Sequence, residues 1–207
     1  MKPVFKTLPH LSLLLVCAVL LAALPRAAMA DHLVPKDFIA DLGDRAVRAL
    51  ADKSLTPADR QEKFRELFLE GFDVRTLRRF AVGRRHWRKA TKSQRTEYHG
   101  LFTEYVVQTY SSRFGQYSGE MIKVTEQRPV GKKDALVKST LVRPEGAPVS
   151  IDWRVREREH KLKIIDIVVE GVSMAITQRD EFASVIRRGG GEFDALITVL
   201  QKKVGKK

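Results

Sequence analysis

The chain has 207 residues, a length that suits one domain plus a removable segment rather than two domains. Its single cysteine, Cys17, stands near the N-terminus, so a disulfide framework is excluded, and the rest of the chain has no candidate for a catalytic thiol or a cysteine-ligated metal. The formal net charge of +13 indicates an anionic partner, which for an exported protein is anionic lipid or an acidic protein face rather than nucleic acid.

The first 30 residues have the three-part layout of a secretory signal peptide. Lys2 and Lys6 precede an apolar stretch over residues 11–24, and a small-x-small pattern ends at Ala30. The apolar stretch is shorter than the roughly 20 residues of a transmembrane span. We therefore predict cleavage near Ala30 and one mature domain over residues 31–207, whose basic tail is frayed from residue 202 onward. An uncleaved N-terminal anchor is the alternative.

The first half of the mature chain has helical periodicity and several capping signals. Apolar residues between positions 38 and 50 recur at helical spacing. Thr56 precedes a proline and an acid, Asp73 can cap a third short helix, and Thr91 with Gln94 fits a capping box. The helix that opens at Thr91 carries a stripe of aromatic side chains: Tyr98, Phe102, Tyr105 and Tyr110. Each tyrosine hydroxyl needs a polar partner if it is buried.

Beyond residue 115 the period changes to that of strands. Four strands are predicted, over residues 120–126, 134–143, 148–157 and 161–170. Ser173 can cap a helix that ends at a run of three glycines, and a last helix follows. The fold class is therefore α+β, a twisted antiparallel four-stranded sheet wrapped by helices. Periodicity leaves open whether sheet and helices close on a solid core or enclose a cavity.

One sequence pattern is similar to a catalytic motif. Residues 171–175 resemble the G-x-S-x-G nucleophile elbow around Ser173, but the last position is alanine and every histidine precedes the serine. We interpret Ser173 as a helix cap. Asp166 and Glu170 are interpreted as solvent-facing or as partners of arginines. The histidines lack metal-binding spacing and no phosphate-binding loop occurs, so we predict no catalysis, no cofactor and no metal.

A basic segment, interrupted by Phe80 and Trp87, begins just after Asp73, the predicted cap of the third helix. Its arginines are Arg75, Arg78, Arg79, Arg84, Arg85 and Arg88. A solvated helix face is the commonest explanation for such a charge run. The alternative is a docking face for an anionic membrane or an acidic partner.

The order of several motifs resembles the MlaC family of periplasmic lipid carriers, also called the toluene-tolerance auxiliary component. The motifs are VGRRHWRKAT over residues 82–91, VSIDWR over residues 149–154, IDIVVEGVS over residues 165–173 and FASVI over residues 182–186. The resemblance covers about residues 36–203. The order and spacing of the motifs, together with the signal peptide that precedes them, make the resemblance specific.

The resemblance implies a periplasmic carrier with a deep apolar cavity between sheet and helices, which holds a glycerophospholipid by its acyl chains. The implied partners are the lipid-binding subunit of an inner-membrane ABC transporter and an outer-membrane lipoprotein complex. A transient contact with a membrane surface is expected from the basic charge. From facing and resemblance together, the candidate lipid-binding residues are Leu77, Phe80, Phe102, Tyr105, Val106, Tyr110, Trp153, Val155, Ile167, Val169 and Met174. The six arginines of the basic segment are the candidate docking residues.

Three alternatives stay open from the sequence. A branch of the family is associated with hopanoids, so the ligand is either a phospholipid or a polycyclic triterpenoid. The domain could instead have a solid core and act as a binding module for an acidic partner. Esterase activity at Ser173 ranks last.

Overall fold

The computed structural model describes residues 34–112 and 119–205. The predicted signal peptide lies outside these residues. Seven helices are present in the described part: α1 (Pro35–Ala51), α2 (Pro57–Gly71), α3 (Val74–Val82), α4 (Arg84–Lys89), α5 (Lys92–Ser111), α6 (Met174–Arg188) and α7 (Phe193–Gly205). The seven helices include no candidate for a membrane span.

Side-chain caps start four of the helices, as the sequence predicted. Thr56 and Thr91 each form a complete capping box, with Asp59 and Gln94 as the respective third residues. Asp73 accepts a hydrogen bond from the backbone of Thr76 at the start of α3, and Ser173 caps α6. These local bonds fix where α2, α3, α5 and α6 begin.

The strands form one antiparallel meander in the order β1-β2-β3-β4-β5. Their bounds are β1 (Met121–Val130), β2 (Asp134–Val142), β3 (Val149–Arg158), β4 (Lys161–Val169) and β5 (Val172–Ser173). The prediction of an α+β fold with an antiparallel sheet is confirmed, but the count of four strands was one too few. The additional strand is a two-residue segment that pairs with the end of β4 and leads into α6, too short to show any alternation.

Two buried acids bind arginines of β3: Asp134 from the neighbouring strand β2, and Asp73 from the start of α3. The carboxylate of Asp134 binds Arg156 at 2.6 Å and Arg154 at 2.7 Å, and the side chain of Asp134 is only 4% exposed. The hydrogen bond from Arg156 holds the pKa of Asp134 below its ordinary value, against the opposing effect of burial. Arg158 reaches Asp73 at 3.2 Å, so the end of β3 is attached to the start of α3.

Two hydrophobic clusters form instead of one. The helical cluster lies among α3, α5, α6 and α7, with Tyr98, Phe102, Phe182, Ile186 and Leu196 at its centre. The sheet cluster consists of Ile39 and Leu42 from α1 with residues of the sheet: Val137, Val155, Leu162 and Ile164. The helices therefore pack tightly on one another, while α1 covers the sheet separately.

The last helix continues further than the sequence predicted. Fraying was expected from residue 202, but α7 runs to Gly205. Two long-range hydrogen bonds hold it against α5: Gln108 Nε2 donates to the Val204 carbonyl at 3.1 Å, and Gln201 Nε2 donates to Glu97 Oε1 at 2.5 Å. Tertiary contact thus stabilises a terminus whose local sequence favours fraying.

Candidate functional site

A cavity of about 560 Å³ separates the sheet cluster from the helical cluster. This volume falls within the roughly 300–1,000 Å³ typical of small-molecule sites. Side chains from α1, α2, α3, α5, α6 and the covered face of the sheet line it: Ile39, Leu42, Gly43, Ala46, Val47, Phe64, Leu67, Phe68, Phe72, Leu77, Ala81, Phe102, Val106, Tyr110, Glu120, Ile122, Leu141, Trp153, Asp166, Ile167, Met174, Ala175 and Gln178. The wall is therefore almost entirely hydrocarbon.

Asp166 is one of the few charged groups at the cavity wall, and its hydrogen-bonding capacity is used within the protein. Its carboxylate accepts hydrogen bonds from Ser173 Oγ at 2.6 Å and from the Ala175 backbone N–H at 3.0 Å. The sequence interpretation of Asp166 as solvent-facing or arginine-bound was wrong, because the carboxylate sits at the N-terminus of α6 and binds its donors. Glu170, assigned the same role, accepts a hydrogen bond from the Ser150 backbone N–H.

Trp153 presents its ring to the cavity while its polar atom is bound by the sheet. Its Nε1–H donates to Ser139 Oγ at 2.8 Å, and the Ser139 hydroxyl donates in turn to the Ile151 carbonyl at 3.0 Å. Ser139 is only 3% exposed, so this bond spares the tryptophan a buried, unpaired N–H. The ring is thereby positioned as an apolar surface.

The structure brings seven of the eleven predicted lipid-binding residues to this cavity. They are Leu77, Phe102, Val106, Tyr110, Trp153, Ile167 and Met174. They come from α3, α5, β3, β4 and α6, which lie far apart in sequence.

The structure places the other four predicted residues away from the cavity. Phe80 is 39% exposed, because Leu77 and Ala81 occupy the face of α3 that turns toward the cavity. Tyr105 packs within the helical cluster, where its ring centroid lies 5.9 Å from that of Phe182.

Val155 belongs to the sheet cluster, where it is 1% exposed. Val169 lies at the end of β4, where it pairs with Ile151 and Val172. Alternation along a strand indicates which face a side chain occupies, but not how far along that face a cavity extends.

Sequence reasoning missed the contribution of α1 and α2 to the cavity. Five residues on one face of α1 line the cavity: Ile39, Leu42, Gly43, Ala46 and Val47. Three residues of α2 line it as well: Phe64, Leu67 and Phe68. The apolar stripes of both helices were visible in the sequence, but a stripe that faces a cavity has the same period as one that faces a solid core.

The six arginines of the predicted docking face lie on α3 and α4. Five are exposed and Arg78 is half-buried. Within residues 34–112 and 119–205, none of the six forms an ion pair with an acid. Burial, with the nearby charges of Arg75 and Arg79, lowers the pKa of the Arg78 guanidinium. Among the described residues, the segment is thus a basic surface without ion-paired acids.

Trp87 forms the apolar centre of this basic surface. The guanidinium carbons of Arg79 and Arg95 lie 5.3 and 5.2 Å from its ring centroid, within the range of cation–π contacts. The imidazole of His99 stacks on the same indole at 5.6 Å. Burial and the charges of Arg78 and Arg79 lower the pKa of His99, so this imidazole adds little positive charge at neutral pH.

Ser173 has the geometry of a helix cap. Its hydroxyl donates to Asp166 and accepts from the Ile176 backbone N–H at 3.1 Å. No histidine is among its hydrogen-bond partners in the described part of the chain. Among the same residues, no group of three or more histidines, cysteines and acids could hold a metal ion.

Comparisons with known proteins agree with this geometry. The family model for the MlaC protein matches residues 40–202. The toluene tolerance protein ttg2D of Pseudomonas putida is 24% identical over 119 residues, which cover 58% of this chain. In that match the chain spans just over half of the relative's length, 55%.

Among solved structures, a phospholipid-binding protein from Ralstonia solanacearum, determined in complex with a phospholipid, superposes with a TM-score of 0.72. The two sequences are 20% identical, and the match covers 83% of this chain and 97% of that one. This likeness shows that the two proteins share a fold.

Proposed function

The chain belongs to the MlaC family, and on that premise we propose that it is a periplasmic lipid carrier that sequesters acyl chains in the cavity between its sheet and its helices. The single observation that carries the proposal is this apolar cavity, bounded on one side by the sheet cluster and on the other by the helical cluster. The carrier performs no covalent chemistry.

The physical need for such a cavity follows from the cost of exposed hydrocarbon. Each methylene left in water costs about 0.8 kcal/mol, so two sixteen-carbon chains cost on the order of 25 kcal/mol. Apolar contact is non-directional, so one cavity accepts chains of varied length and still releases them to a membrane. The headgroup remains at the mouth, where water hydrates it.

We propose a phospholipid as the ligand and a hopanoid as the alternative. The phospholipid is supported by the shared fold with a protein solved in complex with one. Both ligands bury hydrocarbon against the same wall, so both depend on Trp153, Phe102 and Ile167.

The proposed role is a shuttle between an inner-membrane ABC transporter subunit and an outer-membrane lipoprotein complex. Export with cleavage near Ala30 puts the carrier in the compartment between them. The basic surface of Arg75, Arg78, Arg79, Arg84, Arg85 and Arg88 is the proposed docking face, because its charge lacks acidic partners within the described chain.

Native mass spectrometry tests lipid binding directly. The protein, expressed as the full chain and recovered from the periplasmic fraction of a lipid-containing host, should co-purify with a mass equal to one phospholipid. Accurate mass of the released ligand distinguishes a phospholipid from a hopanoid. If the protein carries no lipid in any preparation, the proposal that it is a lipid carrier is contradicted.

A matched pair of variants on α1 ties the lipid to the cavity. Ala46 lines the cavity, whereas Ala49, on the same helix, does not. Ala46→Phe should fill part of the space and lower lipid occupancy several-fold, roughly in line with overpacking of a site. Ala49→Phe should retain lipid. Equal lipid occupancy in the two variants would show that the lipid binds outside this cavity.

A binding module for an acidic partner is the second candidate, and this basic arginine surface favours it. A module of this kind would bind its partner equally well with and without lipid. Comparing delipidated with lipid-loaded protein in the same pull-down separates the two roles.

A further inference from the structure

Three large apolar side chains are exposed near the junction of β5, α6 and α3. Phe80 is 39% exposed, Val172 is 53% exposed and Ile176 is 53% exposed. We call these three residues, with Arg179, the Phe80–Ile176 patch. Exposed apolar side chains are unremarkable singly, but neighbouring ones mark an interaction surface.

The contacts of Arg179 connect these side chains. Its guanidinium carbon lies 5.3 Å from the centroid of the Phe80 ring. Arg179 follows Ile176 by three positions in α6, and residues at that spacing lie side by side on a helix. Arg179 therefore links Phe80 on α3 to the side of α6 that carries Ile176, and Val172 stands four positions before Ile176, in β5.

The patch adjoins the cavity wall on both helices. Leu77, one turn before Phe80 in α3, lines the cavity. In α6, Met174 and Gln178 line it, on either side of Ile176 in sequence. The same two helices thus present one face to the cavity and the neighbouring face to the surroundings.

Exposed arginines lie on the helices that carry the patch and on α4. Arg75, Arg79 and Arg84 are exposed on α3 and α4, and Arg179 is exposed on α6. In the described part of the chain, none of these four arginines is neutralised by an ion pair with an acid. Asp180 and Glu181 follow Arg179 in α6, and Glu170 stands two positions before Val172, so the four arginines outnumber these three acids by one.

We propose that the Phe80–Ile176 patch is a membrane-contact surface that inserts its apolar side chains into the headgroup boundary of an anionic bilayer. Exposed apolar side chains combined with nearby arginines are the composition by which peripheral proteins bind such a boundary. The arginine stems lie along the apolar surface while their charged ends bind lipid phosphate. The proposal rests on the carrier function, because the two complexes between which the carrier moves lie in bilayers.

The charge and the position of the patch favour a bilayer over a protein partner. A bilayer supplies both hydrocarbon for the three apolar side chains and phosphate for the arginines, over an area with no fixed shape. Docking there would bring the cavity wall at Leu77 and Met174 next to the bilayer in which the partner complexes lie.

Vesicle co-sedimentation tests the proposal. The full chain is mixed with vesicles of phosphatidylglycerol and phosphatidylcholine in equal amounts, and in parallel with vesicles of phosphatidylcholine alone. We expect binding to the anionic vesicles that weakens with added salt. Ile176→Glu should reduce this binding roughly tenfold, because a charge replaces an inserted apolar side chain.

The variants are chosen so that folding is retained. An acid in the first turn of α6 suits the helix dipole, so Ile176→Glu should fold. The matched control is Leu69→Glu in α2, where the native leucine is 47% exposed outside the patch, and it should bind vesicles like the unaltered chain. Arg179→Gln should weaken binding to the anionic vesicles and leave binding to the phosphatidylcholine vesicles unchanged.

Two results would overturn the proposal. One is equal vesicle binding by Ile176→Glu and the unaltered chain. The other is no binding of the unaltered chain to anionic vesicles, which would leave a protein as the occupant of the patch. Native mass spectrometry of the same samples keeps this outcome separate from the carrier function, since a protein that carries lipid but ignores vesicles contradicts only the membrane-contact surface.

Discussion

The tyrosines of α5 enter two different environments, although one helical stripe carries them. Tyr98 is fully buried in the helical cluster, with the ring centroids of Phe193, Phe102 and Phe182 at 5.6, 5.8 and 6.3 Å. Tyr110, at the other end of the helix, lines the cavity. The same residue type therefore fills a solid core at one end and bounds an open space at the other, depending on what faces it.

This difference indicates how the domain can be stable and still hold an open space. The helical cluster supplies close packing, with aromatic rings edge to face. The cavity wall has lost contacts on one side and regains them only when a ligand enters. Substitutions on the two sides should therefore differ in their effect on stability.

The largest difference is expected between two leucine-to-alanine changes. Leu196 is fully buried in the helical cluster, and Leu196→Ala should lower the free energy of unfolding by about 3 kcal/mol. Leu77 faces the cavity, so Leu77→Ala should cost only about 1 kcal/mol, since it enlarges an existing space. Urea unfolding of delipidated protein measures both. Equal losses would mean that Leu77 is packed as closely as Leu196.

A pair of glycine-to-alanine changes should differ in sign. A β-carbon at Gly189 would lie 2.1 Å from that of Ala195, between α6 and α7, so Gly189→Ala should destabilise the fold by about 2 kcal/mol. A β-carbon at Gly43 would meet Ile122 at 3.4 Å, an ordinary contact. Gly43→Ala should stabilise the interior of α1 by roughly 0.5–1 kcal/mol. Thermal unfolding measures both changes. A destabilised Gly43→Ala would show that the cavity wall between Gly43 and Ile122 has no room for an added methyl group.

Tyr98→Phe tests the polar group inside the solid region. The Tyr98 hydroxyl donates to the Arg78 carbonyl at 2.8 Å, so its removal should cost about 1 kcal/mol at neutral pH. Burial raises the pKa of Tyr98, with Arg78 acting in the opposite direction. Its contribution to stability is thus present below the unfolded-state pKa of about 10 and is lost as the pH rises above it.

The unaltered chain should therefore lose more stability than Tyr98→Phe between neutral pH and about pH 11. Urea unfolding at both pH values measures this loss. Parallel pH profiles for the two proteins would mean that the phenol ionises in the folded state.

The smallest effect is spectroscopic. The chain has two tryptophans, of which Trp153 lines the cavity and Trp87 lies on the basic surface. In Trp87→Phe, loading with lipid should shift the emission of the remaining Trp153, because acyl chains replace water at its ring. In Trp153→Phe, the emission of Trp87 should stay constant on loading. A shift only in the second variant would locate the lipid at the basic surface.

Much of the fold could be predicted because its signals are local. The caps at Thr56, Asp73, Thr91 and Ser173 depend on a few neighbouring residues, and all four are present. The four long strands follow from alternation. The two-residue β5 was missed because its pairing with β4 is decided across the chain.

The candidate site was predicted only in part, for a related reason. Leu77 and Phe80 are both apolar and lie three positions apart in α3, yet Leu77 faces the cavity and Phe80 is exposed beside Arg179. Tyr105 and Tyr110 share a stripe, yet only Tyr110 reaches the cavity. A stripe spans a wide angle, and the neighbouring elements determine which part of it meets a cavity.

The sequence alone determined the α+β class, the positions of the caps, the basic segment and, through the order of its motifs, the MlaC family. Only the tertiary structure decided that the apolar side chains separate into two clusters with about 560 Å³ between them. The reason is physical: hydrophobic periodicity records which side of an element avoids water, whereas a cavity depends on how far apart two such sides are held.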